Sequence, residues 1–589
     1  MDRFDIDQIV QPPTAAWEAR RDLARVWLEM PAEQVAIRFS GLGAAHWAMV
    51  QSSLRQFPPS DADGPIRNVI LNRLSEEAPS PGVLLAGMLF FFPHEWPQFW
   101  ELDEIPGWLI GHYLAYMLQT PAVLHGHGQA EKLVRFMEDW FGYLLRQIET
   151  NPCSKAWQDV ARYAVCTQFL KSYFTMANLR KLMTTRARIL EYALAAEGSV
   201  LDFQFSPAGR SGRLRVGVLA IHFGPSPETR ATLPAYLYLD RGRFELILLS
   251  ILETKHPVEK FCAAQANRFM VLPPELAQRV SAIRALDLDI LLIGTNVTAA
   301  NNDITDLAVH RLARVQVAGI SSCVTTGMRN VDWHLSGTYV EPIQEVQSHY
   351  TERLLLIDGT GHCYDFAGEA AGAQGPPPSR EELGIPKDAI VFVSGANGYK
   401  VIPELQDVWT QILAAVPHSR LLLHPVNPYW GFQQAVQAFL QRMKQALARH
   451  GVEAQRLLAF EPTPTRQQTI QRSRLADIYL DSFPYSGAST LLDGLLLGLP
   501  PVVMNGCHFR SLMGAGFMRE LQMQELIADN AQSYIQLAVK LATDATYRAS
   551  IGQRISTAMS AGPRFLDARD YARQIGDALV RAWEARENG

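Results

Sequence analysis

Two short segments in the last third of the chain combine residue types suited to holding a nucleotide. The first is Val391-Phe-Val-Ser-Gly-Ala-Asn-Gly-Tyr-Lys400, an apolar run that ends in a Gly-rich turn carrying Asn397 and Lys400. Pro403 comes next, and Glu404, Leu405, Val408, Trp409 and Ile412 open a helical pattern; proline is favoured at a helix start. A lysine between strand end and helix start is placed to neutralise a diphosphate. A lone lysine in a loop is otherwise a solvated surface group. The second segment is Tyr485-Ser-Gly-Ala-Ser-Thr-Leu-Leu-Asp493. Ser486, Ser489 and Thr490 can cap the helix that begins there, and its free amides and positive dipole end suit phosphate oxygens. Asp493 lies one turn beyond Ser489 on the same face, where a carboxylate accepts both hydroxyls of a ribose. The blander alternative is a plain Ser/Thr cap with an aspartate in the first turn. Neither segment matches GxxxxGK[ST] or GxGxxG, so kinase, ATPase and dehydrogenase readings lose their main support.

Positioning such residues takes a particular kind of scaffold. From residue 214 onward, short runs rich in Val, Ile and Leu alternate with helix-like stretches. The runs fall at residues 214–221, 244–251, 269–272, 288–293, 315–320 and 354–357. After a Gly/Pro-rich linker at 367–378, a Ser379-Arg-Glu-Glu382 capping box restarts the alternation, with runs at 390–393, 421–423, 457–460, 478–480 and 502–504. Short runs of this kind are strands buried on both faces of a parallel sheet. Two such α/β units imply two Rossmann-like domains facing a cleft, with ligands at the carboxyl ends of the strands. Ahead of them, residues 1–205 read as an all-α domain. Leu133, Phe136, Met137, Trp140 and Leu144 recur at helical spacing, and a Pro/Trp corner spans Pro93-His-Glu-Trp-Pro97. A second linker sits at 206–212. The expected domains are therefore 1–205, 206–375 and 376–589, the last with a C-terminal helix. No repeat of fixed period is present.

Composition sets the outer limits. The chain has 589 residues, enough for about three domains. Its 48 % hydrophobic and 19 % charged content is that of a globular protein, and a net charge of −5 argues against a broad grip on nucleic acid. The apolar run at 83–92 falls short of the roughly 20 residues a membrane span needs, so a buried helix is expected. No secretory signal is read in Met1-Asp-Arg-Phe-Asp, which points to the cytoplasm. Cys153, Cys166, Cys262, Cys323, Cys363 and Cys507 form no CxxC pair; free buried thiols are expected, and no metal site. His125-Gly-His127 lacks further ligands.

The two nucleotide-type segments together resemble the C-terminal half of the O-GlcNAc transferase superfamily, glycosyltransferase family 41. The strongest part is Arg474-Leu-Ala-Asp-Ile-Tyr-Leu-Asp-Ser-Phe-Pro-Tyr485 leading to Ser489, Thr490 and Asp493. Gly498-Leu-Pro-Pro-Val-Val-Met-Asn-Gly506, Leu526-Ile-Ala528, Thr325-Thr-Gly327 and Tyr350-Thr-Glu-Arg-Leu-Leu355 extend it, so that it runs from about Leu214 to Trp583. The resemblance implies a GT-B fold and an inverting glycosyltransferase that uses a UDP-hexose donor without a metal or other cofactor. It also implies site roles. Lys400 would hold the UDP diphosphate with Asn397 beside it, and Ser489 and Thr490 would bind phosphate. Asp493 would bind ribose, Pro464 to Arg466 would carry the uracil, and Arg472 would lie nearby. Within the family, the helical N-terminal region, with Gly-His-Tyr-Leu-Ala-Tyr inside 108–136, and the Phe-Pro-Tyr turn at Phe483 are most similar to the bacterial cytoplasmic N-glucosyltransferases of high-molecular-weight adhesins. The partner implied is then an acceptor polypeptide, a surface adhesin modified on Asn.

This chain also departs from the family. Ala488-Ser489-Thr490 stands where the O-GlcNAc branch shows His-Thr-Thr, and Ser489 takes the Asn place of the glucosyltransferase branch. In His222-Phe-Gly-Pro-Ser-Pro-Glu-Thr-Arg230 the histidine comes early, and Ser226 stands where a family histidine would be. His222 is the first acceptor-side catalytic candidate, beside Lys400, and Asp289 the second; a histidine packing at a strand end and an aspartate holding a sheet edge are the plainer readings of the pair. Three rivals stay open: an O-linked Ser/Thr GlcNAc-type transferase, a catalytically silent GT-B scaffold that binds a partner, and an enzyme acting on a glycan or small molecule.

Overall fold

The computed structural model describes residues 3–76, 78–206, 212–341, 344–366, 379–426 and 435–587. The linker expected at 367–378 and most of that at 206–212 lie outside the described residues. Backbone contacts divide the chain into a smaller unit, Met1–Tyr143 with Ala396–Pro462, and a larger one, Leu144–Gly395 with Thr463–Gly589.

The N-terminal region is helical, as its periodicity predicts. In the smaller unit the helix Pro81–Phe90 is buried from Gly82 to Phe90, which accounts for the apolar run there. Among the described residues, no helix is long and apolar enough to cross a membrane. The Pro/Trp corner forms a tight turn at Pro93–Glu95 that leads toward the helices Ile110–Met117 and Gln129–Thr150. The buried rings of Trp96, Tyr116 and Trp140 knit these helices together; the Trp96 and Tyr116 centroids are 4.9 Å apart.

The larger unit holds a seven-stranded parallel sheet. Its strands are β1 Leu214–Ala220, β2 Phe244–Ser250, β3 Arg268–Val271, β4 Ile290–Ile293, β5 Val315–Ala318, β6 Trp333–Gly337 and β7 Arg353–Ile357. The order is β3-β2-β1-β4-β5-β6-β7, so strand order reverses between β1 and β4. Six of the seven strands match the apolar runs. The sixth, β6, was not expected, because its buried His334 and Ser336 break the hydrophobic pattern. His334 reaches the Val324 carbonyl, and the Ser336 hydroxyl donates to Glu341 at 2.7 Å.

The second series of strands comprises β8 Val391–Ser394, β9 Arg420–Leu423, β10 Leu457–Ala459, β11 Ile478–Leu480, β12 Pro501–Met504 and β13 Ile527–Ala528. In the larger unit β11 pairs in parallel with β8 and β12, and β12 with β13. In the smaller unit β9 and β10 pair in parallel, and the Phe4 amide adds to the edge by donating to the Ala459 carbonyl at 2.9 Å. The expected capping box is present, with Ser379 and Glu382 exchanging bonds of 3.1 and 3.2 Å. The architecture is therefore an all-α N-terminal region with two parallel-sheet, Rossmann-like domains of GT-B type.

Three features differ from expectation. The C-terminal helix Ala568–Glu587, expected to go with the last domain, buries Tyr571, Ile575, Ala578, Leu579 and Ala582 in the core of the seven-stranded sheet. Cys153, Cys166 and Cys507 are exposed; only Cys262, Cys323 and Cys363 are buried. The end of the helical region, before residue 205, is also tied to the sheet-bearing part of the larger unit. Arg510, on the helix Phe509–Glu520, is 3 % exposed and donates to the carbonyls of Tyr173, Thr175 and Ala177 at 3.2, 2.9 and 2.7 Å.

Candidate functional site

Beyond β11 in the larger unit, a tight turn is organised by a buried aspartate. Asp481 accepts from the Gly487 amide at 2.8 Å and the Ser486 hydroxyl at 2.6 Å. Ser486 in turn accepts from the Gly514 amide at 2.8 Å, and the Tyr534 hydroxyl holds the Asp481 carbonyl at 2.7 Å. Ser486 is thereby committed to the turn and does not cap the next helix. That helix is Ser489–Leu496. Its N-cap is Ala488, and no side chain caps it. Ser489 and Thr490 instead occupy its first two positions. An uncapped helix start leaves several amide donors for a ligand, with the positive end of the dipole behind them.

Gly395, just past β8, makes room for this helix start. A Cβ at Gly395 would lie 2.6 Å from the Thr490 Cβ. Buried Tyr479 sits beneath both: its hydroxyl accepts from the Gly395 amide at 3.3 Å and bonds the Thr490 side chain. Burial raises the Tyr479 pKa, so it stays a neutral phenol. The Thr490 hydroxyl is thus turned to the protein, which leaves its backbone amide for an anion.

Asp493 and Arg466 come together. Arg466 Nε donates to Asp493 Oδ1 at 2.9 Å, and Nη2 contacts the same oxygen; each side chain is 13 % exposed. The Arg466 guanidinium lies 3.6 Å from the Phe366 ring centroid, a cation–π contact. Arg466 opens the helix Arg466–Ser473, capped by Thr465 just after exposed Pro464; Arg472 lies in its last turn.

The other functional edge of this unit is where strand order reverses, the usual ligand crevice of an open parallel sheet. His222 sits just past β1 there. Its Nδ1 accepts from the Gly224 amide at 3.1 Å, and burial lowers its pKa, an effect that nearby Glu259 only partly offsets. Neutral His222 therefore carries its proton on Nε2 and presents a donor, not a base. Ser226 caps the helix Pro227–Leu237 by accepting from the Thr229 amide at 3.1 Å. The carboxylate at this edge is Glu228. It is half-buried, accepts from the Asn296 amide beyond β4 at 3.0 Å, and takes a bond from Thr295. Burial raises its pKa. Sequence reasoning passed over Glu228, because an acidic residue in a first helical turn reads as a companion of the dipole. Asp289 is placed at the opposite, N-terminal end of β4. It accepts from the Arg215 amide at 2.8 Å and pairs with Arg314 at 3.6 Å, so it braces the sheet edge and is not brought near His222.

Asn397 and Lys400 belong to the smaller unit. Asn397 is 7 % exposed; its Oδ1 accepts from the Tyr399 amide at 3.3 Å, while its buried Nδ2 has no partner among the described residues. Lys400 is half-buried at the end of the turn Gly398–Lys400, and its amide donates to the Asn397 carbonyl at 2.9 Å. Pro403 starts the helix Pro403–Ala415, as predicted. His127 pairs with Asp407 at 2.7 Å, and burial beside Arg442 holds His125 down to about 3. Among the described residues, no group of three or more His, Cys, Asp or Glu side chains could hold a metal.

Comparison with known proteins adds a family to this geometry. Residues 364–575 match the model of glycosyl transferase family 41. The probable UDP-N-acetylglucosamine–peptide N-acetylglucosaminyltransferase SPINDLY of Petunia hybrida is 30 % identical over 303 residues, 51 % of this chain and 31 % of that protein. The UDP-N-acetylglucosamine–peptide N-acetylglucosaminyltransferase of Caenorhabditis elegans is 30 % identical over 211 residues, 36 % of this chain and 17 % of that protein. The chain thus spans about a third or less of the length of these curated relatives. A solved structure, a lysine-to-methionine mutant of the Thermobaculum terrenum O-GlcNAc transferase, aligns with a TM-score of 0.60 and 20 % identity, covering 98 % of this chain and 99 % of that one. At that identity the likeness is one of fold. Residues 364–575, which enclose the uncapped helix start and the Arg466–Asp493 pair, thus match the glycosyl transferase family 41 model, on a GT-B-type scaffold of two Rossmann-like domains.

Proposed function

We propose that this chain transfers N-acetylglucosamine from its UDP-sugar to Ser or Thr side chains of a polypeptide, with inversion and without a metal, in the cytoplasm. The observation that carries this reading is the family match over 364–575, which encloses every candidate nucleotide residue from Asn397 to Asp493. The relatives' names, which specify UDP-N-acetylglucosamine and peptide, favour N-acetylglucosamine over glucose as the sugar, and with it the O-GlcNAc-type reading over Asn glucosylation. In the larger unit, the amides of the Ser489 helix start take phosphate oxygens, Asp493 takes the ribose hydroxyls, and Arg466 with Pro464 and Arg472 flanks the base. In the smaller unit, Lys400 and Asn397 take diphosphate charge. Developing charge on the leaving UDP is the quantity such donors stabilise. On the acceptor side, His222 donates a hydrogen bond and Glu228 takes the proton of the attacking hydroxyl.

The test is mass spectrometry of Ser/Thr-rich peptides and of Asn-x-Ser/Thr peptides after incubation with UDP-N-acetylglucosamine or UDP-glucose in EDTA. An N-acetylhexosamine added to Ser or Thr supports the proposal. Hexose on Asn would move the assignment to the N-glucosyltransferase reading, with a surface adhesin as the natural acceptor. Absence of both transfer and UDP binding would leave a silent scaffold.

A further inference from the structure

The turn that presents Lys400 is held from behind by a buried cation. Arg442, on the helix Val436–Arg449, is 4 % exposed, and its Nη2 donates to the carbonyl of Val401, the residue after Lys400. That carbonyl closes a short, tightly wound stretch. The Lys400 amide bonds the Asn397 carbonyl at 2.9 Å, the Ile402 amide the Lys400 carbonyl at 3.0 Å, and the Gly398 amide the Pro425 carbonyl at 2.8 Å. The remaining donors of Arg442, Nε and Nη1, are buried without an acceptor among the described residues. Its surroundings do little to balance the charge. Glu404 acts on it only through space, and one oxygen of Glu404 is taken by the Gly128 amide at 2.7 Å. His125 nearby is neutral, and the Phe439 ring lies 5.9 Å away. Burial lowers the Arg442 pKa to about 9, which still leaves it charged at neutral pH. A buried guanidinium with one carbonyl and no ion-pair partner among the described residues is costly unless an anion comes to it.

We propose that Arg442 is a positioning residue for the nucleotide diphosphate: it fixes the Lys400 turn through the Val401 carbonyl and gives that turn a positive charge that a bound diphosphate balances. The inference rests on the reading of Lys400 as a diphosphate ligand. It assigns to the helix behind the turn a part in anion affinity that its sequence, one arginine among several on an amphipathic helix, does not advertise.

Calorimetric titration of UDP and of uridine into the full chain tests it, with Lys400→Ala, Arg442→Gln and Arg442→Lys compared with the unaltered protein. Arg442→Gln, which keeps a donor for Val401 but removes the charge, is expected to weaken UDP about tenfold and leave uridine unchanged. Arg442→Lys, which keeps the charge, stays within about threefold. If the glutamine variant does not fold, Arg442→Met takes its place, since an apolar residue of similar volume relieves the buried charge. Equal losses for UDP and uridine would make Arg442 a structural prop and overturn the inference. Unchanged UDP affinity in Arg442→Gln, with Lys400→Ala impaired, would overturn it while leaving the nucleotide site standing. Failure of the unaltered chain to bind UDP would remove both.

Discussion

At the strand-order reversal His222 presents a donor and Glu228 an acceptor. With Nδ1 occupied by the Gly224 amide, His222 offers a proton outward, while Glu228 is an acceptor whose pKa burial has raised. Glu228→Gln is therefore expected to lower turnover about a hundredfold with UDP affinity unchanged, and His222→Gln to do less. Because a base with a raised pKa protonates early, activity should also fall on the acid side at a pH above the ordinary carboxylate range; a pH–rate profile alongside UDP titrations checks both. Of the candidate residues, Asp493 and Arg466 could be placed at a helix start and just after a cap from their spacing, and the structure pairs them. Glu228 and Arg442 were not. What singles them out lies across space, the Asn296 amide and the Val401 carbonyl, and local spacing carries no trace of either.

The helix Ser489–Leu496 owes its position to a residue with no side chain. Gly395→Ala would drive a methyl into Thr490, whose Cβ would be 2.6 Å away, and so shift the first turn that carries the amide donors. The expected outcome is an affinity for UDP reduced by about tenfold or more with a smaller change in melting temperature, measured by titration and calorimetry. Strand positions were largely legible, because strands such as β2 and β4 are covered on both faces and must be continuously apolar. The exceptions have physical reasons. β6 buries polar groups that find partners, and β13 is two residues long. The helix start was located correctly but its cap was not. Ser486, which looked like a cap, is drawn away by Asp481.

Across the whole chain, buried neutral histidines set the response to acid. Burial lowers His46, His94 and His125 to about 3, and His362 and His508 to about 4, from an ordinary 6.5. The unfolded chain therefore binds more protons over that window, and stability falls as pH drops from 6.5 toward 4, each histidine contributing up to about 1.4 kcal/mol per pH unit. Glu341, raised by burial to about 7, works the other way between 4.5 and 7, but it is one group against five, so the histidine effect should dominate. Thermal melting of the full chain at pH 6.5, 5.5 and 4.5, with His94→Phe flattening the slope, checks this. That a helical region precedes parallel sheets was legible from the change of rhythm, but where each terminal helix docks was not, because an amphipathic helix such as Ala568–Glu587 says only that it has an apolar face. Arg510 carries the same lesson into the joining of modules. A guanidinium that closes on three carbonyls between Tyr173 and Ala177 makes the end of the helical region part of the larger unit's scaffold. Replacing the N-terminal module at the 205 boundary would strand that arginine, so a graft of another helical head onto this scaffold should be cut upstream of Tyr173.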